Sequence, residues 1–189
     1  MLIPLRLSAQ TDEQLMQWAA RGSDRAFEEL YNRHARRLQG FFVRRLGGDR
    51  DLAADFMHDT FLRLYDAKER YHEGSSFRAW LYTIAYNLCR NYQKKNSPQP
   101  LPVREGSDYP DEDADVVVEL DEAIFHDALR EVLQRLPEAY AMLFSLHYEE
   151  ELTVPQIAQI TSLPEGTVKS RLHKTMNTIK QNLKQYENR

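Results

Sequence analysis

Residues 163–172 read Leu163-Pro164-Glu165-Gly166-Thr167-Val168-Lys169-Ser170-Arg171-Leu172. The run opens a helix, and a second helix signal stands directly before it. Thr153-Val154-Pro155-Gln156 fits a capping box, with Thr153 as N-cap and Gln156 three residues on. Ser162-Leu163-Pro164-Glu165 fits another, which predicts Ser162 as the N-cap of the second helix. Pro155 and Pro164 are each expected in a first turn, where a missing N–H costs nothing. Two short helices joined by so tight a turn make a helix-turn-helix, placed here at residues 153–174. Ile157, Ala158 and Ile160 of its first helix are expected to be core, with Val168 and Leu172 of its second. Thr167, Lys169, Ser170, Arg171, His173 and Lys174 are left mainly outside. Arg and Lys donate to guanine O6 and N7, and Ser and Thr reach bases or phosphates. The second helix therefore reads as a major-groove reader.

Outward from this motif the periodicity stays helical, and no strand-like alternation is convincing. Phe27, Leu30, Tyr31, His34, Leu38, Phe41 and Phe42 recur at spacings of three and four. That helix is expected to stop at Gly47-Gly48, a C-cap signal. Further helices are predicted from about Asp51 to Ala67 and from about Ser76 to Lys95. Asn96-Ser97-Pro98-Gln99-Pro100-Leu101-Pro102 breaks the pattern. Helical signals resume at Glu119 and continue toward residue 186, with a break at Pro137. The expectation is an all-α chain: one helical domain over 1–96, an acidic linker over 97–118, and a second helical domain over 119–189.

The chain has 189 residues and a net charge of −4, which argues against a simple cationic DNA coat. The distribution is more telling. Residues 61–95 hold seven Lys/Arg against three Asp/Glu, and residues 165–189 hold six against two. Residues 97–122 hold one against nine. Two basic patches around an acidic segment suggest two DNA contacts, although charged stretches are commonly just solvated surface. No apolar run approaches the length of a membrane span, about 18 residues. The start, Met1-Leu2-Ile3-Pro4-Leu5-Arg6, is too short and broken for a signal peptide. Cys89 is the single cysteine, expected to be a buried thiol.

Two side-chain sets stand apart from the core pattern. In the helix from residue 76, Phe77, Leu81, Ile84, Ala85, Leu88 and Tyr92 keep core spacing. Trp80, Thr83, Asn87, Asn91 and Lys94 make a second stripe, with Arg90 beside it. A tryptophan, amides and cations on one face suit single-stranded DNA, where rings stack on bases and cations hold the backbone. Trp80 also fits a partly buried core position. Asp55, His58, Asp59 and Leu62 share a face of the preceding helix at spacings of three and four. Asp and His so spaced can bind a metal, but no further ligands accompany them, and an exposed acidic face is commoner. His34 lies in an apolar stripe and reads as a satisfied core histidine. No metal, cofactor, nucleophile elbow, phosphate loop or catalytic carboxylate pair is evident.

Residues 166–172 resemble the GTVKSRL-like run in region 4 of bacterial RNA polymerase sigma factors, specifically the extracytoplasmic-function group. Phe27, Leu30, Tyr31, Arg33, Leu38 and Phe41 resemble the start of sigma region 2. Asp55-Phe56-Met57-His58-Asp59-Thr60-Phe61-Leu62-Arg63 is similar to the segment that binds the polymerase clamp. The run from Phe77 to Asn87 is similar to the element that opens and reads the −10 promoter region. His72-Glu73-Gly74-Ser75-Ser76 resembles the loop that captures a flipped base.

The resemblance implies an alternative sigma factor rather than an enzyme. It places core RNA polymerase as partner, with the clamp of the largest subunit against Asp55, His58, Asp59 and Leu62, and the flap of the second largest also engaged. It assigns −10 DNA to Ser75, Ser76, Phe77, Trp80, Thr83, Asn87, Arg90, Asn91 and Lys94. It assigns −35 DNA to Thr167, Lys169, Ser170, Arg171, His173 and Lys174. The linker would thread along the polymerase, its acidic charge in a basic nucleic-acid channel. An anti-sigma factor and a cytoplasmic location, with or without tethering through a membrane anti-sigma factor, complete the expectation. Asn91, Lys94, Gln156, Thr161 and Ser162 depart from the usual Asp, Arg, Glu, Leu and Gly. Two rivals remain: a free-standing DNA-binding regulator, and a DNA-processing enzyme carrying a helix-turn-helix.

Overall fold

The computed structural model describes residues 7–96 and 122–187, and the side chains of 129–183 within the second span. Among these residues there are eight α-helices and no strand. The predicted linker, 97–118, lies outside them. By contacts the chain divides into two compact units: residues 1–97 with 155–163, and residues 98–154 with 164–189.

The first unit is built on α1 (Asp12–Ala20), α2 (Asp24–Arg45), α3 (Arg50–Asp66) and α4 (Phe77–Asn96). Helix α1 was not anticipated. Its start is a complete capping box: Thr11 Oγ1 accepts from Gln14 N at 3.2 Å, and Gln14 Oε1 accepts from Thr11 N at 3.1 Å. Its buried stripe is Leu15, Met16 and Ala19. Helix α2 ends as Gly47-Gly48 predicts. Gly48 N donates to Val43 O at 2.9 Å, closing a Schellman turn, and both glycines have positive φ, 68° and 88°. Asp49 caps α3 with two backbone N–H groups on one carboxylate oxygen. The core comprises Leu30, Leu38, Phe41 and Phe42 of α2, Thr60 and Leu64 of α3, and Phe77, Leu81, Tyr82 and Ala85 of α4. Edge-to-face aromatic pairs tie the helices together. Phe41 meets Tyr82 at 5.5 Å, and Phe42 meets Phe56 at 5.5 Å. Such pairs add roughly 0.5–1.5 kcal/mol beyond the burial itself. Cys89 is buried as expected. His34 is mostly buried and satisfied as expected: its side chain is 13% exposed, with Nε2 2.7 Å from Asp12 Oδ2.

The second unit holds α5 (Glu122–Arg135), α6 (Glu138–Phe144), one turn of π-helix over Ser145–Glu149, and α8 (Glu165–Glu187). Val132, Phe144, Ile179 and Leu183 form a core there, with Leu129, Leu133 and Met176 against it. Along α8, Val168, Leu172, Thr175, Ile179 and Leu183 are buried at spacings of three and four.

Helix α7 (Val154–Thr161) begins directly after Thr153 and buries Ile157, Ile160 and Thr161. Three residues separate it from α8, so the helix–turn–helix sequence is present. Its turn corrects one expectation. Ser162 is not the N-cap of α8, which starts at Glu165; the Pro164 carbonyl accepts the first helical bond, from Val168 N at 3.1 Å. Ser162 instead takes the left-handed conformation, φ 59°, that ends α7. The capping-box pattern loses because the turn needs a positive-φ residue before the next helix can begin. A left-handed residue other than glycine costs about 1–2 kcal/mol, and glycine's extra freedom in the unfolded chain takes back roughly half of that. Ser162→Gly is therefore expected to stabilise the chain by about 0.5–1 kcal/mol, a rise of a few degrees in thermal midpoint. Ser162→Ala should give no rise; equal midpoints for Gly and Ala would refute the account.

Candidate nucleic-acid interface

Helix α4 is set by the loop before it. Ser76 is its N-cap: Ser76 Oγ accepts from Ala79 N at 3.2 Å, and its carbonyl accepts from Trp80 N at 3.1 Å. Gly74 has φ 86°, a conformation that only glycine adopts without strain. The Tyr71 hydroxyl donates to the Ser75 carbonyl, and the Tyr71 ring stacks on Trp80, centroids 5.5 Å apart. Burial, followed by the negative charges of Glu13 and Asp12, pushes the Tyr71 hydroxyl up to about 12. It therefore stays a hydrogen-bond donor at any physiological pH.

Beyond this loop, Asn87, Arg90, Asn91 and Lys94 are exposed and run down α4 in the predicted stripe. Trp80 and Thr83 are half-buried at its head. Trp80 thus joins both readings, with Tyr71 against its ring and part of its surface open. The Thr83 hydroxyl donates to the Ala79 carbonyl at 2.7 Å. Phe77 requires correction as a DNA contact. It is 0 % exposed, and its ring packs 5.1 Å from that of His34. As the first residue of α4 it anchors the helix, because core spacing turns it inward with Leu81 and Ala85.

The face of α3 remains distinct from its core. Asp55 and His58 are exposed, Asp59 is half-buried, and Leu62 is 60 % exposed, although leucine is usually found inside. Met57, Thr60, Phe61 and Leu64 point the other way and are buried. Asp59 Oδ1 accepts from Arg63 Nε at 2.9 Å, and this hydrogen bond, more than any other contact, raises the Arg63 pKa. The acidic rim therefore carries one paired cation beside it.

On α8, Lys169, Ser170 and Lys174 are exposed, while Thr167, Arg171 and His173 are half-buried. The His173 ring lies 2.9 Å from Asn177 Nδ2, one turn on. Tyr140, at the start of α6, lies 6.0 Å from the Arg171 guanidinium carbon and 5.8 Å from the Lys174 ammonium. A ring face attracts cations at such range, so it holds two neighbouring positive charges on one side of the helix. Nothing in the spacing of the sequence singles out Tyr140. Asn177 had a visible signal, its position four residues after His173.

A second set missed from sequence supports the α4 loop from behind. Arg33 donates to the Leu7 carbonyl at 3.0 Å, to the Gln10 carbonyl at 2.8 Å, to Asp12 at 3.0 Å and to Glu29 at 2.9 Å. Burial opposes ionisation of Asp12, but the hydrogen bonds and charges of His34 and Arg33 outweigh it and hold the carboxyl below its ordinary value. Glu13 Oε1 accepts from Phe77 N at 3.3 Å.

The family model described as sigma-70 region 2 matches residues 30–99, and that described as sigma-70, region 4 matches residues 126–179. The chain is 28% identical over 186 residues to the RNA polymerase sigma-H factor of Pseudomonas aeruginosa, covering 92% of this chain and 94% of the relative. It is 27% identical over 183 residues to the ECF RNA polymerase sigma-E factor of Haemophilus influenzae, covering 89% and 93%. Its fold is similar to that in the co-crystal structure of the sigma factor RpoE with the anti-sigma factor NepR from Bartonella quintana. That match has a TM-score of 0.59 and 21% identity, and covers 84% of this chain and 96% of the other. With both regions matched in order and full-length relatives of one kind, the chain belongs to the sigma-70 family of RNA polymerase sigma factors, in its extracytoplasmic-function group.

Proposed function

We propose that this chain binds core RNA polymerase through α3 and directs promoter-specific initiation by reading −10 DNA with α4 and −35 DNA with α8. One observation carries the reading: α3 exposes Leu62 amid Asp55, His58 and Asp59, while α4 of the same unit exposes amides and cations below Trp80. An apolar centre with a charged rim is how a protein partner is held. A half-open indole followed by exposed Asn87, Arg90, Asn91 and Lys94 suits an unpaired strand. Opening −10 DNA unstacks bases, and stacking, at about 1–3 kcal/mol per base, offsets part of that cost.

On this reading the functional domains are continuous in sequence, 1–96 and 119–189 with 97–118 as linker, so α7 works with α8 in DNA recognition. The region 4 match across residues 126–179 supports that assignment. Region 4 also meets the polymerase flap. The chain contributes specificity, and the chemistry is the polymerase's own. Among the described residues no helix is long and apolar enough to cross a membrane. A cytoplasmic setting follows from work on the polymerase, and an anti-sigma factor holds the chain in reserve, as the relative bound to NepR suggests.

The test is transcription from a promoter library by core polymerase with and without this chain. Initiation from a defined set of −10 and −35 sequences, dependent on the chain, is expected. DNA binding without polymerase-dependent initiation would favour the free-standing regulator. Cleavage or rejoining of DNA by the chain alone would favour the enzyme.

A further inference from the structure

Glu13 is the acceptor for the first backbone N–H of α4, reaching across 64 residues of sequence. It belongs to a helix that neither the motif reading nor the region 2 match, which starts at residue 30, includes. The loop 72–76 ends at that N–H. The loop is also held by the Tyr71 hydroxyl on the Ser75 carbonyl, by Ser75 N on the His72 carbonyl, and by Ser76 Oγ, which accepts from Ala79 N and from Gln156 Nε2. Tyr71 in turn feels the negative charge of Glu13 and Asp12. Helix α1 is itself held by Arg33, which binds two backbone carbonyls and Asp12, and by His34, which joins Asp12 to the Phe77 ring. Orphan N–H groups at a helix start favour an anionic acceptor. A loop ordered before its ligand arrives binds without the cost of ordering it then.

We infer that Glu13 is a positioning residue for −10 DNA: its carboxylate fixes the start of α4, and with it the shape of loop 72–76 that receives an unstacked base. This rests on the −10 assignment proposed above. Glu13 needs no contact with DNA to act in this way.

The experiment uses holoenzyme assembled from core polymerase and the full chain. The probe is a fluorescent single-stranded oligonucleotide carrying the −10 non-template sequence from the promoter library. A series with one abasic position at a time locates the captured base. In wild type, one abasic position should clearly weaken binding. If none does, base capture itself fails. At that position, Glu13→Ala should weaken the intact oligonucleotide about threefold to fivefold, the size expected for a lost helix cap, and leave binding of the abasic oligonucleotide at its wild-type value. Glu13→Gln keeps an acceptor oxygen and should stay near wild type on both. Wild-type binding of the intact strand by Glu13→Ala would overturn the inference. So would an equal loss on both oligonucleotides, which marks general damage, or a loss in Glu13→Gln as large as in Glu13→Ala.

Discussion

Leu62→Ala is expected to weaken binding of core RNA polymerase at least tenfold, about 1.4 kcal/mol, while leaving the chain folded. The side chain is 60 % exposed, so truncating it removes little buried area within the chain itself. At an interface centre the same truncation commonly costs about 2 kcal/mol or more. Asp59→Lys should act at least as strongly. It reverses a charge on the same face and sets a second cation beside Arg63, whose present partner is Asp59. Competition for core polymerase measures the first effect, and circular dichroism of the same variants checks the fold. Affinity for −35 duplex in the absence of polymerase should not change, because that contact is proposed for α8. Wild-type affinity for core polymerase in both variants would remove this face from the docking surface. Loss of helix would show it to be structural instead.

Arg171→Ala carries the second large effect. A bidentate arginine contact with a guanine contributes about 1–3 kcal/mol, and its loss should relax preference at one or two base pairs of the −35 element. Lys174→Ala should behave differently. A phosphate contact carries no sequence information, so binding should weaken evenly across sequences and the salt slope should fall by about 1. Both cations lie about 6 Å from the Tyr140 ring, so their effects are expected to be less than additive. Titration of a −35 panel at several salt concentrations separates the two roles. Unchanged affinity and preference in Arg171→Ala would end its assignment as a base reader.

Elements held by one strong local pattern were legible before any coordinates. The stripe from Leu30 to Phe42 and the Gly47-Gly48 stop place α2 and its end, because periodicity and a left-handed C-cap are both local. Helix α1 carried the same capping grammar, Thr11 with Gln14, but its apolar stripe spans only Leu15 to Ala19 and offers little period to detect. Ser162 shows the opposite failure. Its four-residue pattern satisfies a capping box, yet the turn takes the residue for a left-handed position first. Phe77 shows that a motif position is not a contact: it falls in the run proposed for −10 DNA, and its ring is wholly inside. Glu13 and Tyr140 were illegible for a plainer reason. Each matters through a neighbour far off in sequence, and no spacing rule reports such a meeting.

The hold of Arg33 on the carbonyls of Leu7 and Gln10 bears on where the chain can be cut. A fragment trimmed to the family match, starting at residue 30, would keep α3, α4 and most of α2. Its ellipticity would look sound. It would nevertheless strip four acceptors from Arg33, those of Leu7, Gln10, Asp12 and Glu29, and the Glu13 carboxylate from Phe77 N, and so leave the 72–76 loop open to protease attack. Fragment boundaries drawn by homology alone would then report a weak −10 reader, when the defect lies in the missing splint.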